Sequence, residues 1–267
     1  MSNELIFLKL GGSLITVKDQ PHTARPEVLA RLAQEIAESI AQDPELRILI
    51  GHGSGSFGHV VASRYNTRQG VSTAAQWEGF SEVWRRAAEL NHLVMAALEG
   101  MHLPVIVFPP SARVIARDGK VAIWDLDPLR QALDKGLLPV IYGDVAFDQV
   151  RGGTILSTED LFNHMARELK PTRLLFAGFE PGVWDRFPDH SRLVDEITPI
   201  NFHQVEDGLK GSSAPDVTGG MLDKVRQVIS LVDDLPGLQG MIFSGEVPGN
   251  VRRALLGKKL GTMIRAA

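Results

Sequence analysis

The segment Lys9-Leu-Gly-Gly-Ser13 most constrains the fold, because it turns an apolar run directly into a glycine loop. The run from Leu5 to Leu10 predicts a buried strand. The two glycines that follow let the backbone turn its N–H groups toward a ligand, and concavities of that kind favour anions. Lys9 and Lys18 add positive charge to the same place. The segment therefore predicts a phosphate-binding loop.

A second glycine loop, His52-Gly-Ser-Gly-Ser-Phe-Gly-His59, repeats this arrangement about forty residues later. It follows a predicted strand at residues 47–50 and leads into a predicted helix. The first N–H groups of a helix have no intrahelical partner, so they also attract anions. Two strand–loop–helix units of this kind predict two phosphate groups that face each other, which is the geometry of a kinase.

The composition is that of a globular enzyme of one large α/β domain or two lobes, with 267 residues, 44% hydrophobic. A net charge of -4 and the absence of a dense basic run predict no nucleic-acid partner. The chain has no cysteine, which excludes disulfides, thiolate chemistry and a cysteine-based zinc site. No apolar stretch approaches the roughly 20 residues of a membrane span, and no export signal is recognisable. We therefore expect a cytoplasmic enzyme with no membrane partner.

Strand patterns alternate with helix patterns along the chain, which predicts a mostly parallel sheet covered on both faces. The predicted strands are 5–10, 47–50, 105–108, 138–142, 173–177, 194–197, 241–243 and 262–264, with two hairpins at 114–124 and 145–156. The predicted helices are 26–41, 57–65, 74–98, 126–135, 158–169, 216–232 and 251–256. Residues 178–216 carry few strong signals.

Four blocks in a fixed order resemble the amino acid kinase superfamily and, within it, the isopentenyl phosphate kinases. The first and last blocks mark the superfamily, and the loop that ends in His59 marks the isopentenyl phosphate branch. Together they span nearly the whole chain. The blocks are Lys9-Leu-Gly-Gly-Ser13, His52-Gly-Ser-Gly-Ser-Phe-Gly-His59, Gly143-Asp144 with Ser157-Thr-Glu-Asp160, and Asp216-Val-Thr-Gly-Gly-Met221 with Lys224.

The resemblance implies an α/β fold, a three-layer α/β/α sandwich with a mostly parallel central sheet, in a single domain that forms a homodimer. An N-terminal lobe of about residues 1–170 is expected to bind the phosphate acceptor and to dimerise, and a lobe of about residues 171–267 to bind Mg-ATP. The implied cofactors are ATP and Mg²⁺, with no metal ligand assigned to the protein. The implied reaction transfers the γ-phosphoryl group of ATP to isopentenyl phosphate, a small-molecule substrate of isoprene biosynthesis by the mevalonate pathway.

The expected catalytic residues neutralise the phosphates of two anionic reactants, since phosphoryl transfer needs positioning and charge stabilisation more than covalent chemistry. The alternative interpretation of Lys9, Lys18 and Lys224 is that they are ordinary surface lysines. The alternative for the glycines is a tight turn. The expected catalytic residues are Lys9, Lys18, His59 and Lys224. The expected ATP-binding residues are Lys9, Leu10, Gly11, Gly12, Ser13, Ser54, Gly178, Gly219, Gly220 and Lys224.

On the acceptor side, the imidazole N–H of His59 is expected to donate to a phosphate oxygen. His52 is expected to be structural. Asp144 could organise the lysines, help to hold magnesium through water, or cap the following turn. The full acceptor set is Gly53, Ser54, Gly58, His59, Ser157, Thr158 and Asp160, with helix capping as the alternative for the last three.

Two features leave the assignment open in detail. Where related kinases usually carry a Thr-Asp pair, this chain has Gly178-Phe179-Glu180. The aromatic and aliphatic residues of the long helix at 74–98 suit an apolar substrate tail, but they equally suit a core or a dimer interface. The alternative functions are a kinase for a phosphonate, carboxylate or carbamate acceptor, and a non-catalytic nucleotide-binding regulator.

Overall fold

The computed structural model describes residues 4–186, 191–209 and 220–267. The strands of these ranges agree with the predicted alternation of strands and helices. In chain order they are β1 Leu5–Leu10, β2 Arg47–His52, β3 Val105–Val107, β4 Ile115–Arg117, β5 Lys120–Ile123, β6 Leu138–Tyr142, β7 Asp144–Asp148, β8 Gly152–Leu156, β9 Arg173–Gly178, β10 Glu196–Ile197, β11 Gln239–Ser244 and β12 Thr262–Arg265.

The helices occupy the connections between these strands, as expected for βαβ units. They are α1 Gly12–Ile15, α2 Pro26–Gln42, α3 Gly55–Tyr65, α4 Ala74–Glu99, α5 Pro110–Arg113, α6 Asp127–Asp134, α7 Thr158–Leu169, α8 Phe202–Leu209, α9 Gly220–Asp234 and α10 Asn250–Leu255. A 3₁₀ turn, Thr67–Gln69, joins α3 to the segment before α4.

Eight strands form the central sheet in the order β10-β12-β11-β9-β1-β2-β6-β3. Neighbouring strands are parallel except β11 and β12. All six residues of β1 are buried, because β1 is central and helices cover both of its faces. The predicted mostly parallel sheet is confirmed.

The side chains of β1 alternate between two apolar cores, one on each face of the sheet. Phe7 contributes to the core shared with α6, α7, α8 and α9. Ile6 and Leu8 contribute to the core shared with α1, α2, α3, α4 and α10. Helices therefore lie on both faces of the sheet, which confirms the predicted α/β/α sandwich.

A four-stranded sheet of order β5-β4-β7-β8 packs beside the main one. It contains both predicted hairpins, which a parallel pairing of β4 with β7 joins. Phe80 and Val83 of α4 are buried in a small apolar core behind this sheet, whereas Trp84 is 45% exposed. The core interpretation of the long helix therefore holds for Phe80 and Val83.

Three helices in the described ranges were not predicted. The expected loop after β1 forms the short helix α1, because Leu14 and Ile15 are drawn into the core. The helix α8 lies in the segment with weak signals, and its Val205 and Leu209 are buried. The predicted start of the helix at residue 216 lies outside the described residues. Within the described ranges, no helix is both long and apolar enough to span a membrane.

Candidate active site

The parallel strands of the central sheet end together at one edge, where the two glycine loops leave the sheet. The chain order reverses beside β1, since β2 lies on one side of it and β9 on the other. Ligands of open α/β sheets bind in the crevice outside the carboxyl ends of strands at such a reversal. The end of β1 is tied to both neighbours: Gly11 N donates to Ala177 O (2.8 Å) and Gly53 N donates to Leu10 O (3.1 Å).

The two predicted glycine loops touch each other, backbone against backbone. A Cβ added to Gly53 would lie 2.9 Å from Gly12 N, and one added to Gly12 would overlap the backbone of Gly55. Gly55 has φ +48°, a conformation that side chains disfavour. This close approach brings the starts of α1 and α3 side by side, and helix starts are the ends that attract anions. The two loops therefore adjoin each other, and the two facing phosphate groups stay a prediction.

Thr16, which was not predicted as a site residue, joins the two loops. Its Oγ1 donates to Gly12 O (2.8 Å) and accepts from Ser56 N (3.0 Å). The side chain is buried at the end of α1. One hydroxyl therefore fixes the first glycine loop relative to the start of α3.

Lys9 lies beneath the contact between the loops and forms a buried ion pair. Its Nζ is 2.6 Å from Oε1 of Glu159, in the first turn of α7. Lys9 shares a face of β1 with Phe7, Glu159 lies one helical turn before Phe162, and the rings of Phe7 and Phe162 are 5.0 Å apart. The packing of these rings thus brings the lysine and the glutamate together. Nζ of Lys9 would also lie 3.9 Å from a Cβ on Gly53.

The charge of a second predicted lysine, Lys224, also acts on Glu159. Burial by itself would raise the pKa of Glu159, but the charges of Lys9 and Lys224 outweigh burial and hold that pKa below its usual value. Lys224 is half-buried in the second turn of α9. Sequence reasoning named Ser157, Thr158 and Asp160 but omitted Glu159. The signal was present, because Glu159 lies on the same helix face as the apolar Phe162.

Two adjoining helix starts with the buried Lys9 beside them, over a reversal point of a parallel sheet, are suited to hold phosphate groups. The Amino acid kinase family model matches residues 4–244. The chain belongs to the amino acid kinase family.

Members of this family named isopentenyl phosphate kinase resemble the chain over nearly its full length. The protein of that name from Methanothermobacter thermautotrophicus is 34% identical over 97% of this chain and 98% of its own. The one from Methanocaldococcus jannaschii is 32% identical over the same shares. A solved structure titled "X-ray structures of isopentenyl phosphate kinase" matches with a TM-score of 0.83 and 31% identity, over 97% of this chain and 99% of that chain.

In this amino acid kinase His52 is structural, as predicted. It is fully buried, its Nδ1 lies 3.1 Å from Gly53 O, and its Nε2 lies 3.2 Å from Oδ1 of Asn91. The ring stacks on Tyr142. Burial lowers its pKa, so the ring is neutral near pH 7. It anchors the end of β2 from which the second glycine loop begins.

His59 lies in the second turn of α3 and is half-buried. Ser54 occupies the position before this helix, and a Cβ on Gly58 would overlap its side chain. The helix start is therefore built around Ser54 and Gly58, with His59 next to them. This places the predicted acceptor loop at the edge of the sheet from which both glycine loops leave, the candidate active edge.

The Ser157-Thr-Glu-Asp160 block caps α7, which is the alternative interpretation of three predicted acceptor residues. Ser157 Oγ accepts from Asp160 N (3.1 Å), and Oδ2 of Asp160 accepts from Ser157 N (2.8 Å). Thr158 Oγ1 donates to His52 O (2.6 Å) and so ties α7 to β2. Asp160 also pairs with Arg68 of the 3₁₀ turn (3.1 Å). An acceptor contact from these residues stays a prediction.

Asp144, the first residue of β7, accepts hydrogen bonds from two backbone N–H groups, and the roles left open for it stay predictions. Its Oδ2 accepts from Ser111 N (3.2 Å) in α5 and its Oδ1 accepts from Val145 N (2.8 Å). The carboxyl group is fully buried, and burial raises its pKa to about 6 even though these N–H groups favour the charged form. Asp144 thus connects the small sheet to α5.

Three of the remaining predicted residues, Gly178, Ser13 and Lys18, have open space or solvent beside them. Gly178 ends β9, and nothing lies within 4 Å of a Cβ placed on it. Ser13 and Lys18 are exposed, the latter in a turn that a bridge between Thr16 and Ala24 closes. Gly220 opens α9 with φ +67°, and Gly219 lies outside the described residues. In the divergent segment, Glu180 accepts from Trp184 Nε1 (2.9 Å).

A metal ion has few side chains to bind in the part of the chain that the structure describes. No group of three or more histidine, aspartate or glutamate residues is placed to hold one there. Asp144 already accepts from backbone N–H groups, and Glu159 already pairs with Lys9. These side chains do not assemble a magnesium site of their own.

Proposed function

We propose that this protein transfers the γ-phosphoryl group of ATP to the phosphate of isopentenyl phosphate, giving isopentenyl diphosphate and ADP. The observation that carries the proposal is the backbone contact between the loop ending in His59 and the Lys9-Gly-Gly loop. In the proposal, each loop binds one anion, so that the two anions lie next to each other near the buried Lys9. The near full-length similarity to isopentenyl phosphate kinases supports the choice of acceptor.

In this proposal the first glycine loop and the start of α9 hold the nucleotide. Gly11, Gly12 and Ser13 direct N–H groups at its phosphates, and Lys9 and Lys224 balance the charge that spreads over the transferring group. Glu159 carries the negative charge that both ammonium groups act on. The exposed Lys18 adds charge from the turn above.

The second glycine loop holds the acceptor. Gly53, Ser54 and Gly58 shape the start of α3, and His59 donates an N–H to the acceptor phosphate. The acceptor needs no general base, because a phosphate monoester is already an oxyanion near neutral pH. Proton abstraction therefore plays no part, and catalysis consists of alignment and charge stabilisation.

An apolar cluster behind α3 offers surroundings for a short hydrocarbon tail. Val61 of α3, Val83 of α4 and Val145 of β7 belong to it. A cavity of about 310 Å³ lies between α4, α5 and β7, and its lining includes Phe80 and Phe147. An amino-acid acceptor would instead require a cation for its carboxylate. These apolar walls favour an isoprenoid tail.

The test is a coupled ADP-release assay with isopentenyl phosphate, N-acetylglutamate, UMP and fosfomycin as acceptors. We expect the highest kcat/KM with isopentenyl phosphate. A preference for N-acetylglutamate or fosfomycin would replace this function with one of the carboxylate or phosphonate alternatives, and no ADP release with any acceptor would favour a regulator. The intact Lys9 and Lys224 and the named relatives do not favour these alternatives.

Further expectations complete the proposal. Magnesium enters as part of the Mg-ATP substrate, because Mg²⁺ commonly binds substrate phosphates and waters with few protein ligands. The N-terminal lobe of about residues 1–170 binds the acceptor and forms the homodimer, and the lobe of about residues 171–267 binds the nucleotide. The protein acts in the cytoplasm, in isoprene biosynthesis by the mevalonate pathway.

A further inference from the structure

A second cavity lies at the opposite end of the strands from the candidate active site. It measures about 360 Å³, which is in the range of small-molecule sites. Its walls include Arg173, the first residue of β9, whereas Gly178 at the active edge is the last. Five residue steps separate these two, or about 17 Å along the strand. The two sites are therefore distinct.

The floor of this cavity consists of two rows of side chains set by the strand register. Gln239 of β11 pairs with Arg173 of β9 on one side and with Arg265 of β12 on the other. Two residues further along β11, Met241 pairs with Leu175 and Met263 in the same way. Because alternate residues of a strand share a face, both rows face the same side. One end of the floor is polar and cationic, and the other is apolar.

The cavity is open because a loop, not a helix, covers this part of the sheet. The helix α10 has only six residues, packs on α2 and β9, and ends where Leu255 O accepts from Arg173 (2.9 Å). The chain then crosses toward β12 as the irregular segment 257–261. Its lysines are exposed, so they do not fill the space above Met241 and Met263. The cavity is therefore a product of the short helix.

Positive charge dominates the rim, in a chain whose net charge is negative. Arg173 pairs with Glu4 and Arg265 pairs with Glu196. Lys258 and Lys259 form no ion pair within the described ranges, so their charges are not balanced there. The four cations face two carboxylates, and the unbalanced pair lies on the loop above the floor.

We propose that this cavity binds a small amphiphilic anion, with its phosphate or diphosphate group at the Arg173–Gln239–Arg265 row and a short apolar portion over Met241 and Met263. The guanidinium groups and lysines attract the anion, and the amide of Gln239 donates a hydrogen bond. The two methionines adapt to an irregular apolar group, since the side chain of methionine is unbranched and flexible. The proposal does not depend on the proposed function, because no residue of the active edge lines this cavity.

Calorimetric titration with isopentenyl diphosphate tests the proposal, since this probe has both a diphosphate and a short apolar group. Binding at the cavity should appear in the titration as its own class of site. We expect Lys258→Ala/Lys259→Ala to weaken the affinity of this class about tenfold, the scale of two exposed charge contacts. Gln239→Glu places a carboxylate between the two arginines and should abolish that class. Hydrogen exchange should show ligand-dependent protection in residues 257–265. Inorganic pyrophosphate and isopentenol should each bind more weakly than the complete amphiphile.

Matched variants separate this site from the active edge. Lys120→Ala/Lys135→Ala removes two other exposed lysines and should leave all binding unchanged. His59→Ala should affect binding at the active edge and leave the cavity class intact. Titrations identical for wild type, Lys258→Ala/Lys259→Ala and Gln239→Glu would overturn the proposal. Equal affinity for pyrophosphate and isopentenyl diphosphate would overturn its apolar half. If the ADP-release assay showed no preference for isopentenyl phosphate, the proposed function would be refuted, but binding at the second cavity would still be tested by these titrations.

Discussion

Nζ of Lys9 lies 2.6 Å from Oε1 of Glu159, across 150 residues of sequence, and both side chains are buried. The lysine ends a central strand, and the glutamate begins the helix that packs over the same face. A buried ammonium group needs a counter-charge, because moving a lone charge out of water is costly. Glu159 supplies that charge and also attracts Lys224. The carboxylate therefore lets Lys9 stay charged although it is buried.

Removal of Glu159 should destabilise the fold. Glu159→Ala removes the carboxylate that pairs with the buried Lys9, and breaking a buried ion pair costs about 3–5 kcal/mol in other proteins. Lys9→Met/Glu159→Leu removes both charges and should recover much of that stability. The free energy of unfolding, measured by urea denaturation, checks both variants. Equal stability of wild type and Glu159→Ala would mean that the ion pair contributes nothing to the fold.

The two lysines should act on the rate of transfer. Lys9→Ala or Lys224→Ala removes a charge that stabilises the transferring phosphoryl group, so we expect kcat to fall about 100-fold or more. The exposed Lys135→Ala is the matched control and should retain the kcat of wild type. Steady-state kinetics with isopentenyl phosphate and ATP measure the difference. A folded Lys9→Ala enzyme with normal kcat would exclude Lys9 from the mechanism.

His59 should matter only to the acceptor. Its N–H is proposed to bond a phosphate oxygen, and a hydrogen bond to a charged group contributes about 1.5–3 kcal/mol. His59→Ala should therefore lower kcat/KM for isopentenyl phosphate by about 10- to 100-fold. His59→Gln should recover part of this loss through its amide N–H.

Calorimetry with ATP alone supplies the control for His59. Binding of ATP to His59→Ala should match that of wild type, since the nucleotide is assigned to the other loop. Lost ATP binding together with an unchanged acceptor KM would show that the two loops are assigned the wrong way round.

Gly12 and Gly178 should respond differently to the same substitution. A Cβ at Gly12 overlaps the backbone of Gly55, whereas a Cβ at Gly178 has open space. Gly12→Ala should therefore destabilise the protein by about 1–3 kcal/mol through overpacking, and Gly178→Ala should keep the Tm of wild type. Thermal unfolding measures both. If Gly178→Ala raises the KM for ATP at unchanged Tm, the nucleotide fills that space; a Tm loss as large as that of Gly12→Ala would contradict the geometry.

The pKa of Asp144 predicts a pH dependence of stability. Burial raises this pKa from 3.8 to about 6, so the folded state holds a proton that the unfolded state has already released between these values. The contribution of Asp144 to stability is therefore greatest at low pH and falls as the pH rises from about 4 to 6. A shift of this size corresponds to roughly 3 kcal/mol. Asp144→Asn should lack this component, so its stability relative to wild type should rise with pH in this window. Parallel pH profiles for the two proteins, measured by denaturant unfolding, would contradict the raised pKa.

The sequence determined the architecture and the position of the two glycine loops. Apolar runs and helical periodicity are local patterns, so the helix predicted at 26–41 is found at Pro26–Gln42 and the strand predicted at 173–177 at Arg173–Gly178. The glycine loops could be predicted for the same reason, because the strand end, the glycines and the helix start follow one another in consecutive residues. Short helices such as α8 were not predicted, because their few buried side chains have too little periodicity to distinguish them from a loop.

Only the tertiary structure decided which side chains meet. Glu159 pairs with Lys9 because α7 is rotated so that Phe162 packs on Phe7, and that rotation depends on contacts distant in sequence. Asp144 accepts from Ser111 because α5 folds against β7, and the polar row of the second cavity depends on the register of three strands. Sequence patterns specify which face of an element is apolar, but the partner of a charged group depends on how those faces are packed together in three dimensions.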